Sequence, residues 1–326
     1  MKKSVLATAV LATLISSSTL AATVYKADGT EFKVGGRVEF RGDFNADTDG
    51  TEIDGTMSDQ TRARLNLKGT SEISDGVKAF GFYEVEQKAK DSDEKMKNRY
   101  MYAGIDVHGN ALSFGAQDMA AVQVSKFSDI GEFTGLQKRI EGSADHTEGV
   151  IAYRGNFDAL NLQATYKAES SDDSDSYGVS GTYALPMGLK LGLAYSMDQE
   201  RVDGNTATTN STDKANQILA GISYALDAFY MGATYSTGDT GNGDNEFDTM
   251  EFALAYDITE QVRVQAIYGK DTTDVDGGSD IDREDFVELG GYYTFNRNLK
   301  SYVAYKANSA DGADDDTIRL GMKYSF

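Results

Sequence analysis

Residues 316–326 read DTIRLGMKYSF, and the alternation of apolar and polar side chains in this stretch indicates the fold of the whole chain. From Thr317 onward, apolar residues at even positions alternate with polar or small residues at odd positions, as far as Phe326. A membrane-spanning strand of a β-barrel needs ~9–11 residues with this alternation, because one face meets lipid and the other meets the lumen. The stretch is therefore typical of a transmembrane strand, although a single case also fits an ordinary amphipathic strand.

The same pattern recurs along the chain and gives sixteen amphipathic segments, of which the first runs from Val34 to Phe44. Short turns such as Leu185–Gly188 alternate with long acidic connections such as Asp198–Asp213. This asymmetry is expected between the two ends of an outer-membrane barrel. We predict an all-β fold, a 16-stranded antiparallel transmembrane β-barrel. A soluble sandwich would need a second sheet to cover each apolar face, and a propeller would show a motif repeated in every blade.

Residues 1–21, MKKSVLATAVLATLISSSTLA, have the form of a secretory signal peptide. A basic start and an apolar core of Val5–Ile15 are followed by small residues up to Ala21. The core is shorter than the ~20 residues that a spanning helix needs. We therefore expect cleavage after this segment, which leaves residues 22–326 as one outer-membrane barrel domain.

The composition excludes several classes of function. The formal charge of −21 becomes −23 when Lys2 and Lys3 leave with the signal peptide, and such a chain lacks the basic face that nucleic acid needs. There is no cysteine and no Gly-x-Ser-x-Gly motif, which excludes a serine or cysteine triad. An outer-membrane protease with paired carboxylates and a histidine is the enzyme alternative, but such barrels have fewer strands. We expect no enzyme activity, no cofactor and no bound metal, since the acidic stretch Asp271–Asp285 lacks the EF-hand spacing.

The alternation stops for almost thirty residues between Gln117 and His146. A long irregular connection inside a compact domain is usually functional. This one carries two carboxylates, Asp129 and Glu132, between aromatic residues. We predict that a loop of about 118–145, called the long loop below, folds into the lumen and narrows it.

Four arginines, called the arginine wall below, fall on the polar face of the strands before the long loop: Arg37, Arg62, Arg64 and Arg99. A guanidinium keeps its charge everywhere, and on the lipid face it would cost ~2–4 kcal/mol near the midplane. Opposite the carboxylates of the loop, the wall would create a transverse field that orients polar solutes. Salt bridges to Glu84 or Glu86 are the alternative role. The alternation that points Arg99 into the lumen assigns Tyr100 and Tyr102 to the lipid face.

Several motifs together resemble one family. They are ATVYKADGTEFKVGGRVEF at 22–40, RARLNLKG at 62–69, NRYMYAG at 98–104, FSDIGEFTG at 127–135 and the final Phe326. The chain is similar to the general diffusion porins of Gram-negative outer membranes, and closest to those of marine and estuarine gammaproteobacteria. These porins are trimeric barrels of sixteen strands with a basic wall opposite an acidic third loop.

The resemblance assigns Arg37, Arg64 and Arg99 to the wall, and Asp129 and Glu132 to the acidic pair. The usual Pro-Glu-Phe-Gly-Gly of the loop is Gly-Glu-Phe-Thr-Gly here, and the spacing of the acidic pair is one residue shorter.

The fourth wall position holds His146 instead of arginine. An unperturbed histidine is mostly neutral at pH 7. We therefore expect a weaker wall and a preference for cations. Acidification below about 6 should shift the preference toward anions through His146, with protonation of Asp129 and Glu132 as the competing cause.

The family likeness also implies the partners. They are a homotrimer, outer-membrane lipid and lipopolysaccharide, and periplasmic chaperones with a barrel-assembly machinery that reads the C-terminal signal Tyr324 and Phe326. We expect a general porin of the cell outer membrane, through which ions and small hydrophilic solutes diffuse passively. A substrate-specific channel is an alternative that needs an inward track of aromatic residues, for which Phe80, Phe82 and Tyr302 are sparse. A surface adhesin or phage receptor is another.

Overall fold

The computed structural model describes residues 21–45, 56–90, 96–170, 175–199, 214–241, 245–275, 277–312 and 316–326. The predicted signal peptide up to residue 20 lies outside these ranges, as do the central parts of several acidic connections. Within the described ranges, no helix is long and apolar enough to cross a membrane.

The described residues form one antiparallel sheet. Its strands are β1 (Ala22–Ala27), β2 (Thr30–Asn45), β3 (Ser58–Asp59), β4 (Arg62–Ser74), β5 (Val77–Lys88), β6 (Lys97–Val107), β7 (Asn110–Gln117), β8 (Thr147–Phe157), β9 (Leu160–Lys167), β10 (Ser176–Ala184), β11 (Leu189–Asp198), β12 (Ala215–Leu226), β13 (Phe229–Asp239), β14 (Glu246–Asp257), β15 (Val262–Asp274), β16 (Ile281–Thr294), β17 (Leu299–Asn308) and β18 (Thr317–Ser325). Strand β2 pairs with β18 on one side and with β4 on the other, so the sheet closes. The ring contains sixteen strands, which confirms the predicted barrel. The short strands β1 and β3 pair with β2.

The barrel is apolar outside and polar inside, the reverse of a soluble protein. On the outer face, Val38 and Leu193 are 52% and 60% exposed. On the inner face, Glu39 and Glu288 are fully buried. Period-2 alternation places these residues correctly because every strand has one lipid face and one lumen face. A closed ring also leaves no strand edge unpaired in lipid.

The two ends of the barrel chain pair with the same strand, β2, on the same side. Gly36 and Phe326 exchange backbone hydrogen bonds, with N–O distances of 2.9 and 3.0 Å. Beyond Phe326, β1 continues as the partner of β2, with Ala22 opposite Val34. A side chain at Gly36 would lie 2.8 Å from the Phe326 ring, so only glycine permits this approach. Strand β1 is not among the sixteen predicted segments, and it fills the position that the last strand is too short to reach.

Candidate functional site: the pore constriction

The long loop occupies residues 118–146 between β7 and β8 and folds against the inner wall. It contains one helical turn, α1 (Val122–Ser125), and a 3-10 turn at Glu141–Ser143. Five of its larger apolar side chains are at most 5% exposed: Met119, Val122, Val124, Phe127 and Ile140. Burial of these residues holds the loop inside the barrel and leaves its polar groups toward the water-filled lumen.

Three inward glycines on neighbouring strands, called the glycine seat below, make room for α1 and Phe127. Gly192 on β11 lies directly opposite Gly221 on β12, and Gly232 follows on β13. A Cβ at Gly192 would lie 3.0 Å from the Phe127 ring, and a Cβ at Gly232 would overlap the Phe127 carbonyl oxygen. The Tyr230 hydroxyl donates to that same oxygen at 2.7 Å. The wall therefore accepts loop backbone, and not only side chains, at this point.

Buried carboxylates on the wall fix the far half of the loop through its backbone N–H groups. Glu288 accepts from Glu132 and Phe133 at 3.0 Å each. Glu251 accepts from Gly135 at 2.9 Å. Asp198 accepts from Gly142 at 2.7 Å. Such charge-assisted bonds are stronger than neutral ones and leave these carboxylates partnered by loop backbone.

The tip of the loop, at Glu132, reaches the seam where β2 and β18 pair to close the barrel. The Glu132 carbonyl oxygen accepts from Arg41 on β2 at 3.2 Å and from Arg319 on β18 at 2.5 Å. Arg319 also forms a bidentate pair with Asp43, with both N–O distances 2.7 Å, and lies 4.0 Å from the centre of the Phe133 ring. The loop thus crosses the lumen from β7 to the strands that close the barrel.

The arginine wall is interleaved with three buried glutamates. Arg62 Nε lies 2.8 Å from Glu39, and Arg99 Nε lies 3.0 Å from Glu84. Arg64 pairs with Glu86, and Arg37 pairs with Glu39 at 3.6 Å. Four guanidinium groups therefore face three carboxylates, which leaves the arginine wall itself with one formal positive charge; Lys323 also lies 3.8 Å from Glu39. Sequence reasoning considered such bridges only as an alternative, and it missed Glu39 as a partner although the alternation places Glu39 in the lumen.

The predicted acidic pair is split between two environments. Asp129 accepts from Thr134 at 2.8 Å and pairs with Lys138 at 3.3 Å, so its charge is compensated within the loop. No ion pair to the Glu132 side chain occurs among the described residues. Burial raises the pKa of Glu132, which lies on the loop and not on a strand. Glu132 is therefore the less compensated of the two predicted carboxylates.

His146 lies at the end of the loop, against Asp145, Asp118 and Tyr100. Its Nδ1 is 2.9 Å from Asp145, and its ring is 4.5 Å from the Tyr100 ring. Its backbone N–H donates to Asp118 at 3.4 Å. Although burial alone would raise the pKa of Asp145, the His146 ring and the Lys138 ammonium hold this pKa well below its usual range. The surroundings of His146 are thus acidic.

The assignment of Tyr100 and Tyr102 to the lipid face is wrong. Strand β6 shifts register against β5, because Tyr100 pairs with Glu84 and Asn98 with Val85. This bulge leaves Arg99 as the extra residue, so Arg99 and Tyr100 can both point inward. The Tyr100 hydroxyl donates to Asp118 on the loop at 2.9 Å, and Met101 takes the outward position.

The arrangement offers charge and shape at the narrowest part of the lumen. Among the described residues, no group of three or more His, Asp or Glu side chains could hold a metal ion. The closed barrel with a loop folded across a charged lumen defines a class, the diffusion channels of the outer membrane.

The comparisons with known proteins agree with this class. A family model described as Gram-negative porin matches residues 7–313, and the chain belongs to this family. It is 31% identical to Porin-like protein L of Photobacterium profundum, and 27% identical to outer membrane porin PhoE of Escherichia coli; both alignments cover 100% of each chain.

Solved structures share the fold. The chain in a Salmonella typhi OmpF complex with daunomycin matches with a TM-score of 0.80 at 21% identity, covering 94% of this chain and 100% of that one. Vibrio cholerae OmpT in its trimer form matches with a TM-score of 0.72 at 18% identity, covering 92% and 100%. The protein is thus a multi-pass outer-membrane diffusion channel, and its family consists of channels and not of enzymes.

Proposed function

We propose that this porin is a general channel for ions and small hydrophilic solutes that prefers cations, with its selectivity set between the long loop and the arginine wall. The observation that carries the proposal is the compensation of the wall by Glu39, Glu84 and Glu86. A wall with one net positive charge opposes cations only weakly. The acidic connections, the less compensated Glu132 and the absence of an arginine guanidinium at the fourth wall position favour cations.

Removal of the wall glutamates tests the proposal. Glu84→Gln and Glu86→Gln together should add two net positive charges and shift the reversal potential under a KCl gradient toward chloride. The measurement is a planar bilayer recording at pH 7 with the full barrel. The control is Glu31→Gln on β2, whose side chain lies outside the arginine wall and pairs with Lys33. Anion selectivity of the wild-type channel, or an equal shift in the control, would contradict the proposal.

A homotrimer is part of this proposal. It is supported by the trimer form of the Vibrio cholerae relative and by a recess on the outer face. The recess has a volume of about 480 Å³ and is lined by Phe32, Leu67, Tyr83, Met101 and Phe114 around Gly69 and Gly81. An apolar depression of this kind suits another copy of the chain as well as lipid. Conductance that rises in groups of three equal steps would support the trimer, and single steps would contradict it.

The remaining proposed partners follow from the family alone. We infer contacts with lipid and lipopolysaccharide at the outer face, and recognition of Tyr324 and Phe326 by the assembly machinery. The adhesin or phage-receptor role would use acidic connections whose central parts lie outside the described residues. It does not compete with diffusion through the lumen.

A further inference from the structure

A basic cavity lies beside the long loop, on the side of the short turns. Its volume is about 850 Å³, and it extends from the β4–β6 wall to α1 and Phe127. Lys78, Asp106 and Lys190 line it, and each of these residues is close to a short turn. We call this cavity the vestibule. Ligand pockets in proteins commonly have volumes of ~300–1,000 Å³.

Four aromatic rings form a continuous cluster on the vestibule wall. Phe80 lies 6.3 Å from Tyr102, and Phe82 lies 5.7 Å from both Tyr100 and Tyr102. All four rings are only half-buried, so apolar surface faces the water of the lumen. This cluster exists because the bulge at Arg99 turns both tyrosines inward. Tyr100 also contacts the long loop, through Asp118 and His146, and the rest of the cluster faces the cavity.

The vestibule is also strongly basic. Seven of its lining residues are basic and three are acidic. Glu84 is paired with Arg99, and Asp118 with Lys126 at 3.1 Å. In contrast, Lys68, Lys78 and Lys190 form no ion pair with any described residue. Uncompensated ammonium groups next to aromatic rings are complementary to a ligand that carries both a ring and a negative charge.

We propose that the vestibule binds sugar acids, in particular short oligosaccharides of hexuronic acids. The lysines would pair with the carboxylates, and the rings would pack against the apolar faces of the pyranose units. Asn66, Gln123 and Gln163 also line the cavity and supply amide groups for sugar hydroxyls.

This inference rests on the proposed diffusion function and gives it a substrate class. It does not conflict with a preference for cations, because the acidic connections join the strand ends opposite the short turns, whereas Lys78 and Lys190 lie close to the short turns. Sequence reasoning found an inward aromatic track too sparse, since it counted Phe80, Phe82 and Tyr302 and placed the two tyrosines of β6 in lipid.

The test uses trigalacturonate as the probe and maltotriose as a neutral trisaccharide of equal length. Each is added on the short-turn side of the intact channel in a planar bilayer, and interruptions of the KCl current give the dissociation constant. We expect trigalacturonate to block at much lower concentration than maltotriose, and the block to weaken with rising salt because the contact is ionic.

Two variants locate the site. Lys78→Gln with Lys190→Gln should weaken trigalacturonate binding about tenfold or more, since hydrogen bonds to charged groups contribute strongly. Phe82→Leu should weaken it by about threefold to tenfold through loss of the ring contact. The matched control is Lys300→Gln on β17, a lumen lysine outside the vestibule, which should leave binding unchanged.

A channel that conducts KCl but is blocked equally by the two sugars would overturn the inference and leave the proposed function intact. An effect of Lys300→Gln equal to that of the vestibule lysines would also overturn it, because the general field of the lumen would then suffice. A barrel that inserts but never conducts would overturn both proposals. The KCl conductance of each variant shows that it has folded, and Phe82→Leu tests the site without changing its charge.

Discussion

At the scale of residues, the compensation of charge matters more than the number of charged groups. Four arginines at the wall look strongly basic in the sequence, but Glu39, Glu84 and Glu86 lie among them. Partly buried ion pairs contribute little to stability because desolvation offsets the attraction. Breaking one pair is nevertheless costly, since it leaves a buried charge without a partner. We therefore expect the loss of a wall glutamate to change both the field of the pore and the stability of the barrel.

The pH response of selectivity separates His146 from Glu132. Because burial raises the pKa of Glu132, this carboxyl loses its negative charge at a higher pH than an ordinary glutamate as the solution is acidified. Protonation of either residue makes the constriction more positive, so both predict a shift toward anions at low pH. We expect Glu132→Gln to remove the larger part of this shift, because Glu132 has no ion-pair partner among the described residues, whereas the His146 ring contacts the Asp145 carboxylate.

The measurement is the reversal potential between pH 7.5 and pH 4.5, for Glu132→Gln and for His146→Asn. A wild-type response in Glu132→Gln, combined with its loss in His146→Asn, would reverse the assignment. The two single variants are therefore sufficient to decide between the residues.

At the scale of elements, the position of the long loop depends on the wall beneath it. The loop packs where the inward face of the strands is glycine or apolar. Ile130, Phe133 and Leu136 pack against Ile267 and Phe286, which point inward although the lumen face is otherwise polar. Apolar residues on the polar face of β14–β16 thus mark the surface that the loop covers.

The glycine seat gives a prediction for this element. Gly232→Ala should displace the loop at Phe127, because the new methyl group overlaps the Phe127 carbonyl oxygen. We expect an altered single-channel conductance and a loss of ~1–3 kcal/mol of stability, as for overpacked sites.

The control is Gly291→Ala on β16, where a Cβ would meet only Val303, at an ordinary contact distance of 3.7 Å. Conductance steps and thermal unfolding are compared for the two variants. Unchanged conductance in Gly232→Ala would show that the loop does not depend on the seat.

At the scale of the whole molecule, the barrel closes through both chain ends at once. Phe326→Ala should lower the heat stability of the folded barrel, because the ring packs at Gly36 beside the seam between β2 and β18. Buried Phe→Ala changes cost ~3–5 kcal/mol of stability. The loss for Phe326→Ala should be smaller than this wherever lipid replaces the lost contact. The measurement is the temperature at which the folded band disappears in heat-modifiable electrophoresis.

Met322→Ala on the outer face of β18 is the control for lost apolar surface, since Met322 is 48% exposed. Equal temperatures for the wild type and Phe326→Ala would contradict a role for the ring in closure.

The sequence by itself determined the sixteen strands, their sidedness apart from Tyr100 and Tyr102 on β6, and the inward loop. Period-2 alternation is a local property, because lipid on one face and water on the other constrain every second residue independently of its neighbours in space. The lumen position of Arg37, Arg62 and Arg64 follows from the same rule. Arg99 points into the lumen as the rule predicts. It does so although a bulge at that residue breaks the alternation and turns both tyrosines of β6 inward as well.

Only the tertiary structure decided which charges meet across strands. The pairing of the wall with Glu39, Glu84 and Glu86 depends on strand register. A single extra residue, Arg99, changes the register between β5 and the N-terminal end of β6. The acidic surroundings of His146 and the vestibule depend on where a loop of 118–146 comes to rest against distant strands. Register and loop packing are non-local, so the alternation that reveals the barrel carries no information about them.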